Sequence, residues 1–149
     1  GVPVAVCPGV TAASAAAASL CRSLTLRGLS RKLTFVTAHA KAGETLDLDW
    51  QLLADPDATL AVYMGKSEAE AISRNLIQAG LPADTPVAVI ENASLPDERH
   101  VFTRLDLLSL ATRAGLGSGP AILLIGRVMQ GAMSSRSCSK ASSRIESLP

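Results

Sequence analysis

A chain of 149 residues, 48% apolar and 18% charged, carries enough apolar matter for one domain with a sizeable core and is no intrinsically disordered protein. Its 14 Lys and Arg balance 13 Asp and Glu, and its aromatics are only Phe35, Trp50, Tyr63 and Phe102, so the basic face and stacking rings of a nucleic-acid binder are missing. Cys7, Cys21 and Cys138 follow no disulfide or zinc spacing and fit a reducing cytoplasm, and no apolar run reaches the roughly 18–20 residues of a membrane span.

The chain opens on GVPVAVC, without Met, which predicts a strand over Val2–Cys7 and reads as the middle of a larger protein. A Pro8-Gly9 turn leads into a helix from Thr11 to Arg22 built almost wholly of Ala, Ser and Thr. Leu33, Phe35 and Thr37 alternate against Thr34, Val36 and Ala38, a strand pattern ending near Ala38. A short helix is predicted over Trp50–Ala54, stopped by Asp55-Pro56, with Asp47 and Asp49 placed to cap it. TLAVYMG reads as a strand buried on both faces. Ser67 and Glu70 form a Ser-x-x-Glu capping box for a helix whose face carries Ile72, Leu76 and Ala79, and Gly80 and Pro82 end it.

PVAVIEN is a further strand leading into the polar loop NASLPDERH, and VFTRL reads as a strand or edge segment. Thr103 and Asp106 can cap a helix running to Ala114 and ended by Gly115. AILLIGRVM is the last strand, and residues 130–149 form a Ser-rich tail that reads as disordered. Short apolar strands alternating with helices predict an α/β layered domain with a largely parallel or mixed sheet.

Ligands of open α/β sheets bind where strands end at their carboxyl edge, and three such ends carry unusual residues. At Cys7-Pro8-Gly9-Val10-Thr11-Ala12 a tight turn precedes a helix N-terminus with N–H groups to offer. Thr11 can cap that helix or donate its hydroxyl to a ligand. Small residues at Ala12, Ala13 and Ala15 suit close helix-on-sheet packing and close ligand approach equally. Tyr63-Met64-Gly65 places a Met at a strand end, where Met is usually a flexible core filler. Glu91-Asn92-Ala93-Ser94 is a polar loop after a buried strand. His39 is a candidate acid–base or hydrogen-bonding group, against the commoner structural role of a lone histidine. No catalytic triad, metal-ligand spacing, P-loop or dinucleotide fingerprint occurs.

Four blocks, VPVAVCPGVTAASAAAASL, LTFVTAHAKAG…LDW, TLAVYMGKSEAEAISRNLIQAGLPADTPVAVIENAS and GPAILLIGRVM, taken in order, resemble the uroporphyrinogen-III C-methyltransferases of the tetrapyrrole methylases over residues 1–129. The resemblance implies methylation of uroporphyrinogen III by S-adenosylmethionine to precorrin-2, on the way to sirohaem and cobalamin. It implies a cytoplasmic homodimer whose protomers have two α/β domains with the cofactor between them, and no metal. In this frame residues 1–22 are the last strand and helix of the first domain, 23–129 a complete second α/β domain with a mixed sheet, and 130–149 a foreign or altered end.

Matched position by position, the resemblance makes Thr11, Ala12, Met64, Ala93, Pro120 and Ala121 cofactor-binding residues, with Pro120-Ala121 near the adenine. Ala38 and Ala93 stand where many members have Gly. The first domain's Gly-x-Gly-Pro-Gly-Asp and Gly-Gly-Asp-Pro segments are absent, so catalytic residues are expected there and this chain is expected to be inactive alone. Two alternatives are a non-catalytic module that self-associates and a relative that methylates a later corrin intermediate.

Overall fold

The computed structural model describes residues 1–39 and 46–130; the Ser-rich tail from Gly131, Cys138 included, lies outside the described residues. Helix α1 (Ala12–Ser19) leads to strand β1 (Lys32–Thr37), the short α2 (Trp50–Leu53), β2 (Ala58–Tyr63) and α3 (Ala69–Gln78). Strands β3 (Pro86–Glu91) and β4 (Arg99–Arg104) follow, then α4 (Leu108–Gly115) and β5 (Ala121–Ile125). Single 3₁₀ turns occupy Leu105–Leu107 and Arg127–Met129.

The five strands form one mixed sheet in the order β1-β2-β5-β3-β4. Only β1 and β2 run parallel; β5 is antiparallel to both β2 and β3, and β4 is antiparallel to β3. The mixed sheet replaces the largely parallel alternative, because β5 enters between β2 and β3 from the opposite direction. The central strand is the apolar run Ile122-Leu123-Leu124-Ile125, buried throughout. Edge strands β1 and β4 are half-buried and carry Lys32, Arg99 and Arg104, charges that discourage pairing with another sheet.

Alternation along the strands sends successive residues to opposite faces. Leu60, Val62, Val87, Val89, Leu123 and Ile125 face α3 and α4 and pack with Ile72, Leu76, Leu105 and Leu108. Ala61, Ala88, Ile90, Ile122 and Leu124 face the other way and pack with Ala13, Ala16, Val128 and Met129. Helix α3 ends as its sequence predicts: Gly80, at φ +106°, donates to Ile77 O, and Leu81 donates to Leu76 O. That paired closure buries Leu81 and satisfies two carbonyls at the helix end. Among the described residues no helix is long and apolar enough to cross a membrane.

Four local expectations differ. The last strand is shorter than AILLIGRVM, since β5 ends at Ile125 and Arg127–Met129 forms a 3₁₀ turn. Val2–Cys7 is not a strand: Val2, Val4 and Val6 are 85%, 85% and 92% exposed, and no neighbouring strand offers them hydrogen bonds. The Ser67–Glu70 capping box does not form, since α3 begins after Glu68 without a side-chain cap and Glu70 pairs with Arg113 at 2.8 Å. Thr103 and Asp106 do not cap α4, because the 3₁₀ turn intervenes and Asp106 pairs with Arg104 at 2.6 Å. Asp49 does cap α2, accepting from Leu52 N–H at 3.0 Å.

A candidate ligand cavity at one end of the sheet

The register places the carboxyl ends of β1, β2 and β3 beside the amino ends of β5 and β4: Thr37 lies opposite Tyr63, Tyr63 opposite Ile122, and Glu91 opposite both Ala121 and Arg99. The turns leaving these strands converge with the start of α1 around a cavity of about 810 Å3. That volume falls within the roughly 300–1,000 Å3 of small-molecule sites. Of the six positions matched by resemblance, Ala12, Met64, Ala93, Pro120 and Ala121 line it. So do His39, Lys66, Asn92 and Gly117. Pro120 and Ala121 are more than 50 residues from Met64 in sequence, and the antiparallel β5 brings the two turns to one wall.

Thr11 takes the capping role, accepting from Ser14 N–H at 3.1 Å, and does not line the cavity. The donors at the start of α1 are partly taken internally, because Ala13 N–H reaches the Tyr63 hydroxyl at 3.3 Å. The small-residue stripe divides by position. Ala13 and Ala16 are buried against the sheet and Ala17 is also buried, whereas Ala12 lines the cavity. Packing thus accounts for the stripe beyond the first turn.

Met64 is no core filler, being 54% exposed on the cavity wall. Its φ of +53° lies in the left-handed region, which costs a non-glycine residue about 1 kcal/mol. Asn92 and Ser94, at +54° and +71°, share that conformation on the opposite turn. Such backbone concentrates at ligand sites, where surrounding contacts hold it in place. Ala93 between them does not have positive φ, so its methyl group is accommodated without backbone strain. Ala38 is likewise accommodated, fully buried in the core. His39 reaches the cavity but has no hydrogen bond among the described residues that would fix it as an acid or base.

The turn after β3 is braced from within. Asn92 Nδ2 donates to Asp97 Oδ2 at 2.6 Å, and Ser94 N–H donates to Glu98 Oε2 at 2.6 Å. His100 Nε2 lies 2.5 Å from Glu98 Oε1. Burial pushes the Glu98 carboxyl up, but its bonds to Ser94 and His100 outweigh that and hold it below the ordinary glutamate value.

Lys66 and Glu91 were not singled out as a pair by sequence. Glu91, the last residue of β3, has a side chain only 2% exposed, and its Oε1 accepts from Lys66 Nζ at 2.6 Å. The Lys66 hydrogen bond holds the Glu91 carboxyl below its ordinary value despite burial, and Gly117 N–H adds to the effect. An acidic residue closing an otherwise apolar strand was the available signal, since a buried carboxylate requires a partner. The identity of that partner follows only from the fold.

Residues 1–108 match the family described as Tetrapyrrole (Corrin/Porphyrin) Methylases. The chain is 41% identical over 128 residues to the uroporphyrinogen-III C-methyltransferase of Paracoccus denitrificans, covering 86% of this chain and 45% of that protein. It resembles the structure of a cobalt precorrin-4 methyltransferase at a TM-score of 0.74 and 30% identity, over 82% of this chain and 51% of that one. It also resembles uroporphyrin-III C-methyl transferase from Thermus thermophilus complexed with S-adenyl homocysteine, at a TM-score of 0.69 and 32% identity, over 85% and 54% of the two chains. The chain spans 45% of the Paracoccus denitrificans protein and 28% of the siroheme synthase of Gluconacetobacter diazotrophicus, to which it is 42% identical over 131 residues.

Proposed function

This chain belongs to the tetrapyrrole (corrin/porphyrin) methylases, and from that premise we propose that it forms one wall of the S-adenosylmethionine site in an enzyme that methylates uroporphyrinogen III to precorrin-2. The observation that carries the reading is the convergence of Ala12, Met64, Ala93, Pro120 and Ala121 on one cavity at the strand ends. The lining suits such a ligand: apolar surface from Met64, Leu95 and Ile122 stands beside the exposed backbone of two turns. Bound S-adenosylmethionine supplies an electrophilic methyl group.

The residues of this chain bind and orient. Met64 and Leu95 offer apolar contact beside the turns at Asn92–Ser94 and Gly117–Pro120. Positioning of this kind is a large part of what such a reaction requires. In this reading residues 1–22 complete a first domain, residues 23–129 form the second, and the group that removes the proton belongs to the first.

Calorimetric titration of the chain with S-adenosylhomocysteine tests the site. Saturable binding that Met64→Ala weakens is expected. No binding to the folded chain up to about millimolar ligand, a free energy weaker than about −4 kcal/mol, overturns it. A second reading, methylation of a later corrin intermediate, draws on the TM-score of 0.74 to the cobalt precorrin-4 methyltransferase. Product analysis of the full-length enzyme with uroporphyrinogen III separates the two, since a later-acting enzyme leaves that substrate unmethylated.

A further inference from the structure

The loop Leu116–Pro120 forms one wall of the cavity and contains Gly117 and Gly119, residues that leave a backbone with many conformations to choose from. It is nevertheless held at several points. Gly117 N–H donates to Glu91 Oε2 at 2.7 Å. Lys66 Nζ donates to Glu91 Oε1 at 2.6 Å, to Gly117 O at 2.6 Å and to Gly119 O at 3.2 Å. Asn92 N–H donates to Pro120 O at 2.9 Å. A Cβ at Gly119 would collide with the end of the Asn92 side chain, which would have to move to admit it.

The ammonium group thus has three acceptors for its three N–H bonds, and both carboxylate oxygens are engaged. Neither charge is left to address a ligand. A buried ion pair is also a poor way to gain stability, since desolvation offsets much of the attraction, whereas its geometry is specific. The pair joins the turn after β2, the end of β3 and the loop before β5, the three segments that carry Met64, Ala93 and Pro120.

We propose that Lys66 and Glu91 are positioning residues, which hold the Gly117–Gly119 backbone in the one arrangement that accepts the cofactor. The proposal rests on the reading of this cavity as the S-adenosylmethionine site. Without the pair the loop samples other shapes, and affinity falls in proportion to the fraction of time it spends in the competent one. If that fraction drops to about one tenth, affinity falls about tenfold.

The test compares the chain with Lys66→Met and with the double variant K66M/E91L. The double variant replaces both charges by apolar groups and leaves no unpaired carboxylate buried, so it carries the test if the single variant fails to fold. Two quantities are measured: S-adenosylhomocysteine affinity by calorimetry, and amide exchange at Gly117 by NMR, with the Leu123 amide of the central strand as control. The expected result is folded protein, binding about tenfold weaker, faster exchange at Gly117 and unchanged exchange at Leu123. Unchanged affinity in a folded variant overturns the positioning role while the cofactor reading stands. Weaker binding with unchanged Gly117 exchange overturns it too, because the loss then arises elsewhere. Failure of the unsubstituted chain to bind overturns the cofactor reading, and the positioning role with it.

Discussion

The two faces of the sheet are packed by different means. On one, α3 and α4 bring Ile72, Leu76 and Leu108 against branched side chains of β2, β3 and β5. On the other, α1 brings Ala13 and Ala16 into a cluster with Ile122 and Leu124 of β5, together with Ala61, Ala88, Ile90, Val128 and Met129. Large side chains remove more apolar area from water, roughly 25 cal/mol per Å2, and so contribute more to stability. The alanines of α1 remove less but let the helix backbone approach the sheet closely. Both faces bury large side chains, but on the second the small residues of α1 set how near its start stands to the cavity.

The largest effect is expected on the first face. Leu76→Ala, at a fully buried position, should lower unfolding free energy by about 3 kcal/mol in a urea titration. It should leave cofactor affinity of the folded fraction unchanged, since Leu76 does not line the cavity. Ala16→Leu on the second face should cost about 2 kcal/mol by overpacking and also weaken ligand binding as α1 is pushed away from the sheet. Equal affinity in that variant would mean the α1-to-sheet distance does not matter to the site. Thr11→Ala should remove a helix cap at a cost of about 1 kcal/mol, read from the same denaturation curves.

The carboxylates sharpen the comparison further. Glu91 is held below its ordinary value of 4.5, so it stabilises the folded state above that pH. That contribution is lost as pH falls from 4.5 through the depressed folded value. Denaturation midpoints should therefore fall on this acid limb, and Glu91→Gln should flatten it. Glu70, paired with Arg113 but with both side chains about two-thirds exposed, should give the smallest effect: Glu70→Ala should change stability by less than about 0.5 kcal/mol.

Much of the fold was legible because it follows from local order. Short apolar runs located β2, β3 and β5, and Gly80 with Pro82 marked the end of α3, since strand burial and helix termination depend on neighbouring residues. The turns at Met64 and Asn92–Ser94 were legible as polar or unusual strand ends, and the motif resemblance pointed to Pro120 and Ala121. Other features were decided only in three dimensions. A Val-rich segment such as Val2–Cys7 is a strand only beside another strand, and the described structure offers it none. Glu70 had a cap and an ion pair open to it, and the proximity of α4 selected the pair. The bond between Lys66 and Glu91, and their hold on Gly117, depends on β5 entering antiparallel between β2 and β3. Periodicity and turn chemistry act over a few residues and can be read along a chain. Register and the pairing of a buried charge depend on segments distant in sequence, and only tertiary structure brings those together.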